Sequence, residues 1–321
     1  MAPKLIFGTA SLGMDLTEFQ DEESVKNLLK TLNDLHIHHL DTAARYPPLN
    51  QGRAEQLLGL TKELSSGFVI DTKVFTDTKT DASGDLSGAS VQKSVASSLE
   101  RMQRDGVNIL YAHRPDPATP LEEQVEAMND QITHGHCKAW GVSNFSPALL
   151  EEVLKICEQK GLRKPCCYQG QYSILTRAMG TKLLPLLRAH GIAYYGFRVV
   201  EAGFLSGRFV NNEYANTWLD EKNPLGKLTQ GLYASKVLQA ATKRFDADVK
   251  ALGLLPTEVA IRWAVHHSAL GDEDGIILGA SKTAQVVEMA GFVQKGPLPD
   301  NVLNIVQEAW STLKESRANV I

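Results

Sequence analysis

The stretch Lys4-Leu5-Ile6-Phe7-Gly8-Thr9-Ala10-Ser11-Leu12-Gly13 decides between two architectures open to a chain that alternates strands and helices. Its first four residues form a short apolar run that reads as a buried strand. The turn after it carries glycine at positions 8 and 13 only. An open doubly wound sheet usually shows Gly-x-Gly-x-x-Gly at this point, because those glycines let a pyrophosphate approach the backbone. The spacing here is wrong for that turn, which favours a closed barrel.

Working outward, seven more short apolar runs follow, at 37–40, 68–71, 109–112, 139–142, 166–169, 193–196 and 275–278. Each is bounded by polar residues or glycine, as buried parallel strands should be. Amphipathic segments lie between them. Residues 21–35 begin with acids and carry Val25, Leu28, Leu29 and Leu32 at helical spacing; 90–102 carry Val91, Val95 and Leu99. Residues 146–159 open with Ser146 as a cap and Pro147 in the first turn, followed by Leu149, Leu150, Val153 and Leu154. Further helices are predicted at 183–189, 235–252, 256–267 and 299–313. Two segments read as loops: the polar stretch 77–88, and the Asn-, Gly- and Pro-rich stretch 211–231 between the seventh strand and its helix. A long loop there belongs at the C-terminal rim of a barrel, where sites form. Eight strands, each followed by a helix, predict an α/β fold: a (β/α)8 TIM barrel forming a single domain over residues 1–321.

Composition narrows the function classes. The 321 residues carry a formal net charge of −4, so no basic excess points to a nucleic-acid partner. No apolar run reaches the roughly 18 residues a membrane helix needs. The N-terminus reads as a strand rather than a secretion signal, which makes the cytoplasm the expected location. Cys137, Cys157, Cys166 and Cys167 form neither a Cys-x-x-Cys pair nor a Cys/His metal pattern. The clusters His36/His38/His39, His134/His136 and His266/His267 lack zinc-site spacing, so no metal is expected.

Four ionisable residues sit at or just after successive strand ends: Asp41 and Tyr46 in LDTAARY, Lys73 in IDTKV and His113 in YAHRPD. In a barrel those ends converge on one rim. An ammonium beside a tyrosine stabilises the phenolate and lowers its pKa from about 10. An adjacent Asp keeps the Lys charged. Tyr46 then donates a proton to a carbonyl oxygen, and His113 hydrogen-bonds the same oxygen. The electron pair has to come from elsewhere, and a nicotinamide would supply it as hydride.

The strings GTASLG, LDTAARY, IDTKV, YAHRPD, GVSNF and ILGASKTAQ, in this order, resemble the aldo-keto reductases. YQGQYSILTR, Asn216-Thr217-Trp218 and the late Gly-Pro-Leu are most similar to the aflatoxin-aldehyde reductase branch. The resemblance runs from Phe7 to about Leu313. It implies NADPH-dependent reduction of an aldehyde or ketone, with Asp41, Tyr46, Lys73 and His113 as the catalytic tetrad. It also implies cofactor contacts. Ser143, Asn144 and Gln169 would hold the nicotinamide amide region, and Phe197 would stack on the ring. The following loop, Arg198, Leu205, Gly207 and Arg208, would run beside the diphosphate. Gly279, Ser281, Lys282 and Gln285 would take the adenosine phosphate, where a Gly-rich turn before a helix and a lysine suit a 2′-phosphate. A homodimer is implied as well.

Three departures from the family pattern shape the expectations. Arg198-Val199-Val200-Glu201 replaces the usual Asn-Pro-Leu or Ser-Pro-Leu, leaving Arg198 and Glu201 paired with each other or Arg198 turned to phosphate. Met289 stands where an Asn commonly touches adenine, which implies weaker cofactor affinity. The branch's arginines after Asn-Thr-Trp and at the extreme C-terminus are missing: the chain has Asp220, Glu221, Lys222, Asn223, Pro224 and Leu225 in the first place and ends Asn319, Val320, Ile321. A non-acidic or aromatic carbonyl of specialised or detoxification metabolism is therefore expected. Two alternatives keep the cofactor residues: an NADP(H)-binding regulatory subunit similar to potassium-channel β subunits, and a pathway oxidoreductase acting on an enone or quinone.

Overall fold

A computed structural model describes residues 2–215, 217 and 219–320. Asn216 and Trp218 of the Asn-Thr-Trp string, and the C-terminal Ile321, lie outside the described residues. Eight parallel strands close into a barrel in sequence order: β1 (Lys4–Gly8), β2 (His39–Asp41), β3 (Val69–Lys73), β4 (Val107–Ala112), β5 (Cys137–Ser143), β6 (Cys167–Gln171), β7 (Ala193–Phe197) and β8 (Gly275–Leu278). Phe7 marks the closure, since it pairs with Leu40 of β2 on one side and Leu278 of β8 on the other. The (β/α)8 barrel expected from the glycine spacing is thus the observed fold.

The predicted helices form for the reasons their sequences offer. Helix Pro147–Lys160 starts at Ser146, whose hydroxyl accepts from the Leu149 N–H at 3.2 Å, and stops at Gly161 in the left-handed region. It buries Leu150, Val153, Leu154 and Cys157. Helix Glu22–Asp34 has a reciprocal cap: Asp21 accepts from Ser24 N at 2.9 Å, and Ser24 Oγ takes the Asp21 N–H. The second strand begins later than expected. Ile37 donates its N–H to Leu32 O at 2.9 Å, so it closes the preceding helix instead of joining the sheet.

Helices Arg53–Leu60 and Leu121–Thr133 follow β2 and β4 without having been predicted. The stretch read as a loop at 211–231 contains helix Pro224–Leu232, capped by Asn223, whose side chain accepts from Leu225 N at 3.0 Å. Its Leu228 and Leu232 are exposed, and Gly226 and Thr229 take buried positions, so no buried leucine stripe betrays it. The 77–88 stretch is turns, as expected.

Two packed layers hold the barrel. Outside the sheet, residues such as Phe7, Leu40, Ile70, Trp140, Val142 and Tyr168 meet the buried helix faces. Inside it, Ile6, Ile109, Tyr111, Cys167, Tyr195 and Ile277 fill the lumen. Toward the N-terminal end a buried Asp71 carboxylate accepts from Asn108 Nδ2 at 2.8 Å and Ile109 N at 3.0 Å, and lies 2.8 Å from His39 Nε2. The lumen tolerates no extra methyl at Gly141. A Cβ there would sit 2.6 Å from Tyr111 Cε1 and 2.7 Å from the Cys167 carbonyl oxygen, which is backbone and cannot swing away. Gly141→Ala is expected to lower the unfolding free energy by about 1–3 kcal/mol, the usual cost of overpacking. Urea denaturation reads this directly; an unchanged midpoint would mean that the β5–β6 pairing relaxes freely.

Candidate active site

Because all eight strands run the same way, residues at their C-terminal ends share one rim. Asp41 ends β2, Lys73 ends β3, His113 follows β4, Ser143 ends β5, Gln169 lies in β6, Phe197 ends β7 and Gly279 follows β8. The register fixes the tops: Gly8 pairs with Asp41, Lys73 with Tyr111 and Ser143 with Gln169. Thr9 holds the end of β2 by donating N–H and hydroxyl to Asp41 O, at 2.8 and 3.1 Å.

The centre is a buried ion pair. Lys73 Nζ donates to Asp41 Oδ1 at 2.8 Å, Asp41 Oδ2 at 2.7 Å and Thr42 O at 2.8 Å, so all three ammonium protons have acceptors. Burial disfavours this ammonium, but Asp41 and then Tyr46 outweigh it and hold Lys73 above the ordinary lysine range. Gln169 Nε2 donates to Asp41 Oδ1 at 2.8 Å from the far side of the barrel. That link makes Gln169 a support of the ion pair, which the sequence did not disclose.

Tyr46 and His113 face each other over this pair. The Lys73 ammonium lies 5.0 Å from the centroid of the Tyr46 ring, and the Tyr46 and His113 rings meet edge to face at 5.8 Å and 86°. Tyr46 is half-buried. Burial, followed by the Lys73, Arg45 and Arg114 cations, pushes the His113 imidazole well below its ordinary range, so it stays neutral near pH 7. Among the described residues its buried Nδ1 has no hydrogen-bond partner. A histidine kept neutral in the fold but protonated when unfolded makes stability fall as pH drops below the unfolded value of about 6.5. His113→Gln is accordingly expected to flatten the stability profile between pH 6.5 and 5, measured by thermal midpoint. An equally steep acid slope in the variant would assign that slope to other groups.

The other predicted site residues lie at or after the ends of β5, β7 and β8. Asn144, in a left-handed conformation at φ 64°, donates Nδ2 to His113 O at 2.9 Å and to Ser143 Oγ at 3.0 Å. The end of β5 is thereby tied to the end of β4. Phe197 is half-buried at the top of β7, and Arg198 follows it in the left-handed region at φ 58°. Gly207 at φ 78° abuts Asp246, whose Oδ1 would lie 2.1 Å from an added Cβ, and Arg208 is exposed. Leu205 is different: its side chain is fully buried in the core, so any share in a rim site belongs to its main chain. Near β8, Gln285 Oε1 accepts from Ser281 N at 2.8 Å and Lys282 N at 3.2 Å, while Lys282 is exposed. Met289 is buried in the main hydrophobic core.

Glu201 is not paired with Arg198. Its carboxylate turns inward and is fully buried among Ser173, Thr176, Tyr233 and Arg317. Two arginines flank the residues of this centre and carry no motif signal in the sequence. Arg45 precedes Tyr46 and Arg114 follows His113. Among the described residues neither forms an ion pair. Arg45 Nε is buried without a partner, and its Nη2 makes only a 3.4 Å contact with Thr78 Oγ1.

The family model of the aldo/keto reductases matches residues 4–311. The chain belongs to the aldo/keto reductase family. Among aldo/keto reductases and related oxidoreductases of similar sequence, an oxidoreductase named sirO from Leptosphaeria maculans is 32% identical, covering 98% of this chain and 95% of its own. An aldo-keto reductase from Pseudocercospora fijiensis is 30% identical over 91% of this chain and 99% of its own. Mouse aflatoxin B1 aldehyde reductase member 2 is 28% identical over 99% and 88% respectively. The branch resemblance carried by YQGQYSILTR thus holds, and the protein is an oxidoreductase of the carbonyl-reducing family. Among the described residues, no helix is long and apolar enough to cross a membrane.

Proposed function

We propose that this aldo/keto reductase reduces an aldehyde or ketone with NADPH, and that Tyr46 protonates the carbonyl oxygen. The single observation behind the proposal is the buried Lys73–Asp41 pair 5.0 Å from the Tyr46 ring, with a neutral His113 edge-on to the same ring. A positive charge beside the phenol favours the negative charge left when its proton departs. A neutral imidazole can hydrogen-bond a carbonyl oxygen without competing as the acid.

The rim fits the dinucleotide. Helix Thr283–Gln294 opens beside exposed Lys282, and its first N–H already holds an anionic group: Thr283 N donates to the Glu18 carboxylate at 2.9 Å. A 2′-phosphate suits the same donors and the Lys282 charge, with Glu18 giving way. A Cβ at Gly279 would meet nothing within 4 Å, so the turn before the helix is open to a bound group. Ser143 and Asn144 would hold the nicotinamide amide, Phe197 its ring face, and Arg198 and Arg208 the diphosphate. When bound, NADPH supplies the hydride. The chain's own residues place the carbonyl, donate the proton from Tyr46 and retain the Lys73 charge through three acceptors.

The substrate reading rests on where the arginines are. The arginine nearest the C-terminus in sequence, Arg317, is spent on Glu201, which supports a non-acidic or aromatic carbonyl. The unpaired Arg45 and Arg114 favour a second reading, a carbonyl compound bearing a carboxylate, because guanidinium groups match carboxylates in pairs. NADPH consumption against aromatic aldehydes, dicarbonyls, quinones and succinic semialdehyde separates the two. Preference for apolar carbonyls, unchanged in Arg45→Met, upholds the first. A preference for succinic semialdehyde that Arg45→Met abolishes installs the second. Tight NADPH binding with no turnover of any carbonyl would move the protein to a cofactor-sensing role.

A further inference from the structure

The loop after β7 is held from an unexpected direction. Its first turn, Glu201–Ser206, follows Arg198 and contains Glu201 and Ala202, all three non-glycine residues in the left-handed region at φ 58°, 48° and 52°. Such a backbone persists only where its surroundings over-determine it. Among those surroundings one buried carboxylate gathers the most polar partners. Glu201 accepts from Ser173 Oγ, from Thr176 Oγ1 at 2.6 Å and from Tyr233 OH at 3.0 Å, and Arg317 Nη2 stands 3.4 Å from its Oε2. Arg317 also donates Nε to Thr176 Oγ1 at 2.8 Å. Phe204, in the same turn, stacks on Tyr233 at 4.3 Å and 7°.

Arg317 is nearly the last residue of the chain, and its own position is fixed. Lys182 Nζ donates to Ala318 O at 2.6 Å and Asn319 Oδ1 at 2.9 Å. Arg177 donates to Val306 O at 2.9 Å and lies over the Trp263 and Trp310 rings at 4.9 and 5.3 Å, anchoring helix Asp300–Leu313 from which the tail emerges. The tail is thus stitched to the segment after β6, and through Arg317 and Glu201 to the loop after β7.

We infer that Arg317 is a positioning residue for the cofactor: through Glu201, the C-terminal tail holds the 198–208 loop in the conformation that receives the NADPH diphosphate. The inference rests on the proposed dinucleotide reading of that loop. The replacement of the family's Asn-Pro-Leu by Arg198-Val199-Val200-Glu201 then has a physical purpose. Without a proline to stiffen the turn, a buried carboxylate fixes it, and a fixed loop binds without first losing conformational freedom. Arg317 and Glu201 contact none of Asp41, Tyr46, Lys73 and His113, so the lock acts on affinity and leaves the proton transfer alone.

The test uses the full chain. NADPH affinity is measured by fluorescence titration for the wild type, Arg317→Lys and Arg317→Met, beside thermal midpoints, kcat at saturating NADPH and the pH profile of kcat. The expected result is a Kd for NADPH raised about ten-fold or more in Arg317→Met, with Arg317→Lys in between and kcat and pH profile unmoved. If Arg317→Met does not fold, Arg317→Lys carries the test alone, with a Kd raised at least about three-fold. A folded variant that binds NADPH as the wild type does overturns the lock. A variant that loses midpoint and kcat but keeps its Kd also overturns it, leaving a structural ion pair. A wild type that binds no NADPH is a separate result: it removes the dinucleotide reading and the inference with it.

Discussion

Tyr46→Phe is expected to lower kcat for carbonyl reduction by about a hundred- to ten-thousand-fold, the usual contribution of a positioned general acid. The substitution removes one hydroxyl and keeps the ring. The edge-to-face contact with His113 at 5.8 Å and the position over the Lys73 ammonium therefore survive. Nothing else near the carbonyl replaces the lost proton well. His113 is held neutral by burial and three neighbouring cations, and every Lys73 proton is engaged by Asp41 or Thr42. NADPH affinity should stay within about two-fold, because the proposed cofactor contacts come from β5 to β8 and not from the loop after β2. Single-turnover kinetics with preformed enzyme–NADPH complex reads the chemical step without product release. A residual rate within ten-fold of wild type would remove Tyr46 as the acid.

Lys73→Met should be damaging in two separable ways. Lys73 and Asp41 are both buried, and removing one partner leaves a charge with nothing to compensate it. Breaking such a pair costs about 3–5 kcal/mol. Gln169 remains hydrogen-bonded to Asp41, but an amide does not replace an ammonium. Lys73→Met is therefore expected to unfold at markedly lower denaturant and to lose turnover. The double variant Asp41→Asn/Lys73→Met removes both charges. It should regain much of the stability and none of the activity, since the positive charge beside Tyr46 is still absent. Equal stability of Lys73→Met and wild type would show that Asp41 is solvated or protonated in the fold. Recovered activity in the double variant would show that the ammonium is not needed.

The fold was legible because barrel strands are buried on both faces and read as short apolar runs, as at β1 and β8. The grouping of Asp41, Tyr46, Lys73 and His113 was legible for a related reason. A lysine or aspartate ending an apolar strand has no solvent to justify it, so Lys73 and Asp41 stand out as a pair before any geometry is known. Helix Pro224–Leu232 was hidden because Leu228 and Leu232 are exposed while Gly226 and Thr229 take buried positions, which leaves little apolar periodicity to read. The partner of Glu201 was hidden differently. Sequence proximity offered Arg198, three residues away, whereas the chain folds to bring Arg317 from 116 residues further on. The same holds for Gln169 and Asp41, 128 residues apart, which meet only because the barrel closes. Arg45 and Arg114 sit inside two of the motifs, LDTAARY and YAHRPD, but carry no signal of their own, because an arginine in a loop is ordinarily a solvated charge. That neither forms an ion pair among the described residues, Asp77 acting on Arg45 only at longer range, shows only in three dimensions.

The most direct test of the account follows the hydride. Wild-type protein is incubated with an aldehyde that it turns over and with NADPH deuterated at C4 of the nicotinamide, and the alcohol product is analysed by mass spectrometry and proton NMR. The account predicts one deuterium, on the former carbonyl carbon, in stoichiometry with NADPH oxidised, and loss of both signals in Tyr46→Phe. Oxidation of NADPH without deuterium at that carbon, or undiminished transfer in Tyr46→Phe, would contradict it.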